Sequence, residues 1–288
     1  MASKNLIIGG FTNYGINQLK PWVESINEVC DDSTDKVIFA GNCSKETVEQ
    51  LMERNFIVIP LPETNLPIHV ARFVFIYDYL RQNWEKYKFV ITTDMKDVYF
   101  QRNPFEWLHN HFKPGLMYSI VTGSEAMKYE DEPWGNENLM QTYGSYIHRL
   151  NKDNTIYNVG VLGGKSEYIK DLLFNIFSNA VNRPIPIVDQ AVFNVLVQTQ
   201  PYKNITYFAS MDDAWACQAG TVADPSKIEQ FRPKLLEKEP IFKDGKVYNA
   251  AGEEFYIVHQ YDRVPEWKEF VMKKFNQEDQ TQYFTYTV

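Results

Sequence analysis

Two carboxylates three residues apart, Asp94 and Asp97, follow directly on a short apolar run, Phe89-Val90-Ile91-Thr92-Thr93. The run has the β-branched, hydrophobic character of a buried strand. In an open α/β sheet, ligands bind beyond the carboxyl ends of strands. Carboxylates at that edge can hold a hard cation such as Mg²⁺ or Mn²⁺ and, through it, a phosphate. The competing reading is a strand that ends in a solvated acidic turn. The local geometry is open as well. On an extended chain Asp94 and Lys96 share a face and Asp97 does not. If the chain turns directly after Asp94, the two carboxylates converge on one ion.

Further groups of residues have chemistry to offer. Tyr157-Asn158-Val159-Gly160-Val161-Leu162 is an apolar strand pattern with an asparagine and a glycine inside it. A strand glycine marks a bulge, a close backbone approach or a ligand, and a buried asparagine needs partners. The plainer alternative is that Asn158 caps a turn and Gly160 relieves crowding. Asp189 and Gln190 open a helical segment, Val188 to Val197, behind the stiff Arg183-Pro184-Ile185-Pro186. Asp189 suits a helix N-cap. The pair also suits sugar hydroxyls, since it sets an acceptor beside an amide that both donates and accepts. His259 ends the apolar run Phe255 to Val258; a neutral histidine there is either a metal ligand or a hydrogen-bonded structural residue. Arg72, with His69, opens a long amphipathic segment. Its planar fork can reach a phosphate or a neighbouring carboxylate.

These residues need elements to carry them. Asn5–Gly9, Lys36–Ala40, Phe56–Ile59 and the Phe89 run read as strands. Ile16–Val29, a segment from Ser44 as N-cap to about Arg54, and Ile68–Lys86 read as helices between them. That alternation predicts a mostly parallel sheet with helices on both faces, an α/β fold. Residues 123–138, polar and punctuated by Gly and Pro, read as an inserted surface loop over the site. Thr155–Leu162 predicts a strand, and Ser166–Ala180 a helix. Ile241–Lys243 and Lys246–Tyr248 around Asp244-Gly245 predict a hairpin, and Pro265–Phe275 a last helix. With no repeat or flexible linker, one continuous domain is expected over residues 1–288.

Composition narrows the partners. Hydrophobic residues form 44% of the 288, enough for a large core. A net charge of −8 argues against nucleic acid. Aromatic residues reach 15%, which suits stacking of bases or sugars, although most rings belong in the core. Cys30, Cys43 and Cys217 form no CxxC pair, so neither a disulfide framework nor a zinc site is expected and a reducing compartment fits. No apolar run approaches the ~18 residues of a membrane span, and the first ten residues are too weakly apolar for a signal peptide. A cytoplasmic location is expected, and the sequons at Asn42 and Asn204 are then accidental. The absence of GxGxxG, GxxxxGK[ST] and GxSxG removes most support for dehydrogenases, P-loop ATPases and serine hydrolases.

In their order along the chain, these pieces resemble the GT-A-fold glycosyltransferases, in particular the glycogenin and galactinol-synthase type. Thr93-Asp94-Met95-Lys96-Asp97 through Gln101 follows that family's D-x-D strand and its glutamine. Tyr157-Asn158-Val159-Gly160-Val161 follows its F-N-x-G-V strand, and Asp189-Gln190 through Asn194 its D-Q-x-x-x-N. His259, ahead of Pro265-Glu266-Trp267, follows its metal-binding histidine. The likeness covers roughly residues 5–270 and implies a single Rossmann-like domain. About residues 1–100 would form a nucleotide-binding half, about 101–270 an acceptor half, and 271–288 a tail. It implies a UDP- or GDP-sugar donor, a glycan, protein or small-molecule acceptor, and a divalent metal, Mn²⁺ or Mg²⁺, on Asp94, Asp97 and His259. Phe11, Thr12, Asn13 and Tyr14 would line the nucleotide pocket, and Arg72 would contact the diphosphate or sugar. Asn158, Gly160, Asp189 and Gln190 would border the transferred sugar and the acceptor, with Asp189 and Gln190 catalytic and retention favoured. One departure stands out. With Gln101 aligned, Lys96 occupies the second D of D-x-D and Asp97 falls one residue late. Either the loop re-forms so that Asp97 ligates, or Lys96 itself supplies the positive charge. The alternatives are a sugar-phosphate nucleotidyltransferase, which lacks support because the loop after the first strand has no basic residue, and a non-catalytic sugar- or nucleotide-binding module.

Overall fold

The computed structural model describes residues 4–183, 185 and 187–278. Pro184 and Pro186, expected to stiffen the approach to Asp189, and tail residues 279–288 lie outside the described residues. The chain begins β1 (Lys4–Thr12), α1 (Ile16–Val29), β2 (Thr34–Gly41), α2 (Lys45–Glu53), β3 (Ile57–Pro60), α3 (Ile68–Asn83), β4 (Tyr87–Thr93). It continues through β5 (Val98–Phe100), α4 (Pro104–His111), β6 (Ile120–Lys128), α5 (Pro133–Asn151), β7 (Thr155–Lys165), α6 (Ser166–Ala180) and α7 (Asp189–Val197). The last part comprises β8 (Thr206–Ala209), β9 (Ala216–Gln218), α8 (Ala219–Val222), α9 (Ile228–Phe231), β10 (Ile241–Lys243), β11 (Lys246–Tyr248), β12 (Ile257–His259) and α10 (Pro265–Lys274).

Seven strands form the central sheet in the order β3-β2-β1-β4-β7-β6-β8. Pairings among β3, β2, β1 and β4 are parallel, as is β6 with β8, and only β7 runs against its neighbours. The strand order reverses between β1 and β4, since the chain moves out to β3 and then returns to the far side of β1. A crevice opens where the strand order reverses, and the residues after β1 and β4 stand at its lip.

Alternation along the strands sorts side chains onto two faces. Ile7, Ile38 and Ile91 pack with Leu19, Trp22 and Ile26 of α1, Leu51 of α2 and Trp107 of α4. Leu6, Ile8, Val37 and Val90 pack with Phe73 and Ile76 of α3, Leu172 and Ile176 of α6 and Phe193 of α7. Helices therefore cover both faces, as the alternating pattern predicts. Local signals start several of them. Ser44 Oγ accepts the Thr47 N–H at 3.1 Å before α2, and Pro104 follows the capping Asn103 at α4.

A second sheet, β5-β12-β9, sits at the same edge. β12 pairs antiparallel with β5 and parallel with β9, which sets His259 opposite Val98 and beside Gln218. The hairpin β10–β11 forms as its Asp-Gly turn predicts, with both turn residues at positive φ. No helix of the described residues is long and apolar enough to cross a membrane.

Residues 123–138 are the main correction. They are not a surface loop: residues up to Lys128 continue the buried β6, and Pro133 onward begins α5. Ser124, Glu125 and Glu132 are buried and hydrogen-bonded, so a rule that equates polarity with exposure fails for them. Ala126, at φ 53, sits in a bulge where β6 slips against β7 between Ser124 and Lys128. Bulges of this kind re-aim side chains, and Glu125 is the side chain re-aimed.

Close backbone packing across β6 and β7 leads to a test. A Cβ on Gly164 would stand 2.3 Å from the Ser119 carbonyl oxygen and 3.0 Å from Ile120 Cα. Neither atom can rotate away. Gly164→Ala is expected to lower stability by about 1–3 kcal/mol, the usual cost of overpacking. In urea unfolding the midpoint should fall at unchanged slope; an unmoved midpoint would contradict this packing.

Candidate functional site

Met95 decides how the loop after β4 turns. Its side chain is buried against Gly9, where a Cβ would meet Met95 Cγ and Sδ at 2.9 Å. With Met95 driven inward, Lys96 is left exposed and Asp97 comes round to face Asp94. The loop is pinned at both ends: the Asp94 N–H donates to the Gly160 carbonyl at 2.8 Å, and the Asp97 carbonyl accepts the Gln260 N–H at 2.7 Å. Of the two sequence geometries, the chain adopts the converging one.

His259 completes the cluster from the second sheet. Its Nε2 lies 3.5 Å from Asp94 Oδ2 and 3.6 Å from Asp97 Oδ1. One ligand atom from each of the three residues falls within 4.8 Å of the other two. The ring's other nitrogen, Nδ1, stands 2.8 Å from Gln218 Oε1. A carbonyl oxygen only accepts, so Nδ1 carries the proton and the Nε2 lone pair faces the carboxylates. Burial holds the imidazole below its ordinary pKa, against the pull of Asp97. A neutral imidazole with an inward lone pair, beside two carboxylates, is a donor set that fits a divalent cation.

Gly160 makes the room. A Cβ there would lie 2.5 Å from His259 Cε1, 2.8 Å from Asp94 Oδ2 and 2.9 Å from Asn158 Oδ1. The β7 backbone bulges at this point, where pairing with β6 jumps from Leu162 to Asn158. Asn158 closes the bulge on itself, its Oδ1 accepting the Gly160 N–H at 2.7 Å.

Arg72 is buried at the head of α3, joined to Asp94 through Nη1 and 3.5 Å from Asp189 through Nη2. Its Nε is buried with no partner among the described residues. Asp189 is not an N-cap; Val188 holds that position and Asp189 is the first helical residue, 5% exposed. Arg72 and, more weakly, His69 attract its carboxylate, and the backbone N–H groups of Asp189 and Gln190 at the helix start also donate to it. Burial raises the Asp189 pKa and Arg72 opposes the rise.

Sequence reasoning missed Glu125. It is 5% exposed and accepts from Asn158 Nδ2 at 2.8 Å, Gln190 Nε2 at 2.9 Å and Thr221 Oγ1 at 3.0 Å. Burial pushes its carboxyl above the usual range while these donors pull it back. One signal was available: a lone acid inside Ile120-Val121-Thr122-Gly123-Ser124-Glu125-Ala126-Met127, a run otherwise fit for a strand. Asn194 ties the same region together, donating to the carbonyls of Tyr157 (2.8 Å) and Gln190 (2.9 Å).

Two clefts meet at these residues. The first, of about 360 Å³, has Glu125, Trp134, Asn158, Gly160, Asp189 and Gln190 in its wall. The second, of about 320 Å³, runs over Phe11, Thr12, Tyr14, Met95 and Lys96. Arg72, Asp94, Asp97, His69 and Arg263 belong to both. Within the second cleft Phe11 is 1% exposed and serves as a floor for the half-buried Tyr14, their rings stacked at 16°. Asn13 is outside both clefts; it is exposed, at φ 63, and its amide oxygen accepts from Asn42. Lys96 is exposed and lines the second cleft, and its carbonyl accepts the Tyr261 hydroxyl at 3.2 Å.

No protein-family model and no curated protein sequence matches the chain. Solved structures do. The chain is similar to the apo structure of WbbM, a bifunctional glycosyltransferase, at 12% identity and a TM-score of 0.57. That likeness covers 97% of this chain and 50% of the other, so the chain spans half the length of WbbM. It is also similar to apo mouse xyloside xylosyltransferase 1, at 12% identity and a TM-score of 0.54, over 89% of this chain and 97% of that one. At such identity the likeness is one of fold: the α/β domain with its mostly parallel sheet is shared with these glycosyltransferases.

The Gln218–His259 contact generates a second test. Loss of the outer partner of a ligating histidine weakens metal affinity by roughly 10- to 100-fold. Titration calorimetry with Mn²⁺ should show that loss for Gln218→Leu, while Asp97→Ala should abolish the heat. An Asp97→Ala protein that binds Mn²⁺ like wild type would remove Asp97 from the site.

Proposed function

We propose that this protein is a glycosyltransferase that moves a hexose or pentose from a nucleoside-diphosphate sugar to an acceptor hydroxyl. The observation that carries the reading is the meeting of two clefts at one charged cluster, on a fold shared with glycosyltransferases. A donor lying across the junction has its nucleotide in the second cleft, its diphosphate at the cluster and its sugar in the first cleft. This supports residues up to about 100 as the nucleotide half and about 101–270 as the acceptor half, within a GT-A-type domain of the glycogenin and galactinol-synthase kind.

Tyr14, set on Phe11 as a rigid floor, offers its ring to the base, and Thr12 and Lys96 line the path to the diphosphate. Asp94, Asp97 and Nε2 of His259 would hold a divalent metal, Mn²⁺ or Mg²⁺, which neutralises the diphosphate and the charge that builds on it as it leaves. The Arg72 guanidinium, held between Asp94 and Asp189 where the two clefts meet, sets a positive charge beside a diphosphate or sugar oxygen. Asp189 keeps Arg72 in place and sets a fixed negative charge behind the sugar. Gln190, tied to Glu125, and Asn158 border the sugar.

None of the three buried carboxylates of the first cleft is a free base for the acceptor. Asp189 is paired with Arg72, and both oxygens of Glu125 and of Glu132 already accept hydrogen bonds. That supports transfer with retention, in which the acceptor oxygen bonds to the anomeric carbon on the face the diphosphate leaves. The bonding pair departs with the diphosphate, which also takes the hydroxyl proton. The free, mostly buried cysteines fit a reducing, cytoplasmic setting.

Two measurements test the reading. UDP or GDP with Mn²⁺ should raise the melting temperature, and Tyr14→Ala should cost roughly 1–3 kcal/mol of that binding, the scale of base stacking on an aromatic ring. No shift with any nucleoside diphosphate at millimolar concentration would defeat the donor assignment. Asp189→Asn should cut turnover by roughly 10²-fold or more, with NMR of the first product reporting retained configuration. An inverted product would make one of the buried carboxylates a base and overturn the stereochemical assignment.

A further inference from the structure

Trp134 is 49% exposed on the wall of the first cleft. Its indole has no ring, cation or hydrogen-bond partner among the described residues, whereas Trp22, Trp107, Trp215 and Trp267 are all buried. Its position is held firmly. It is the second residue of α5, after Pro133, whose ring presets φ. The Glu132 side chain caps the helix, Oε1 accepting the Trp134 N–H at 3.3 Å and Oε2 the Gly135 N–H. Gly135 lets that carboxylate close in, since a Cβ would meet Glu132 Oε2 at 2.9 Å. An exposed aromatic on a rigid mount is the mark of a binding anchor.

The chemistry around it selects the occupant. The cleft carries five carboxylates, Asp94, Asp97, Glu125, Glu132 and Asp189, against the cations Arg72, Lys227 and Arg263. Arg72 is already paired with Asp94 and Asp189. A divalent metal on Asp94, Asp97 and His259 would be offset by the donor's diphosphate, so an anionic acceptor still meets net repulsion there. Gln190 donates its amide N–H to Glu125, and its side-chain oxygen has no hydrogen-bond partner among the described residues, which suits a hydroxyl donor. An apolar ring face beside acceptors of hydroxyl hydrogen bonds matches a hydroxylated ring with no charge.

Resting on the transfer reading, we infer that the acceptor is a neutral carbohydrate whose ring lies on the face of Trp134. The hydroxyl of that ring forms the new bond to the donor's anomeric carbon as the bond to the diphosphate breaks, and the proton leaves with the diphosphate. Whether the ring ends a free oligosaccharide or a glycan on a protein, the recognition is the same.

Saturation-transfer NMR tests this on the full chain with Mn²⁺ and UDP or GDP present. The probes are methyl glycosides of neutral hexoses and pentoses, their disaccharides, a glycopeptide and an unglycosylated Ser/Thr peptide. At least one saccharide should receive saturation on its ring protons. Trp134→Ala should weaken its binding roughly tenfold or more, the scale of losing a stacked aromatic, and Trp134→Phe should restore most of it. The nucleotide-induced rise in melting temperature should survive in both variants, which shows that they fold. Signals from both disaccharide and glycopeptide place recognition in the ring; signals from the unglycosylated peptide alone overturn the inference. Saccharide binding indifferent to Trp134, with nucleotide binding intact, overturns it too. Absence of nucleotide binding in the wild type would sink the transfer reading first and this inference with it.

Discussion

Gly160 has no side chain, and the space this leaves is filled by three others. Asp94, His259 and Asn158 each come within 2.9 Å of where its Cβ would stand. They arrive from β4, from β12 in the second sheet and from β7 itself. The two sheets are thus locked together at a point where the main chain, not a side chain, forms the wall. Everything nearby follows from that convergence. The Asp94 N–H is held by the Gly160 carbonyl, so the loop that carries Asp97 starts from a fixed place. Asn158 uses one end of its amide to hold Gly160 and the other to hold Glu125.

Charge spreads outward from this point in an alternating line. His259, kept neutral by burial, faces Asp94 and Asp97; Asp94 meets Arg72; Arg72 meets Asp189. Buried ion pairs rarely add net stability, because desolvating each charge offsets the attraction, yet removing one partner alone costs about 3–5 kcal/mol. Such a line is therefore better at fixing positions than at stabilising the fold. It holds Arg72 rigid between Asp94 and Asp189, where the two clefts meet. The hydrophobic layers on either side of the central sheet supply the stability that lets this cluster stay polar and buried.

Much of this was legible in the chain. Strands Lys36–Ala40 and Phe89–Thr93, helices Ile16–Val29 and Ser166–Ala180 and the Asp-Gly hairpin appear close to where periodicity, caps and turn residues put them. Asp94, Gly160 and His259 drew notice because each breaks its local pattern: an acid at a strand end, a glycine within an apolar run, a histidine closing one. Residues 123–138 were misread for the opposite reason. In Glu125 and Glu132 the acids are buried and satisfied by hydrogen bonds, and a one-dimensional pattern cannot distinguish a satisfied buried acid from a solvated one. Asp189 suits a cap by its type, yet Val188 holds that position, and Arg72, which pairs with Asp189, lies far away in the chain.

The sequence by itself determined the alternation of strands and helices, the parallel character of the first four strands and the edge at which polar residues gather. These are properties of short windows, set by side-chain period and backbone preference. Only the tertiary structure decided that Asp97 and not Lys96 turns toward Asp94, because that choice belongs to Met95 finding its space against Gly9 across the core. It alone placed Gln218 beside His259, through pairing of strands about forty residues apart in the chain. It alone brought Glu125 to Asn158 and Gln190, through a bulge that no local preference requires. Chemistry of residue types is written locally, but convergence depends on which distant surfaces pack, and packing is decided by the whole core at once.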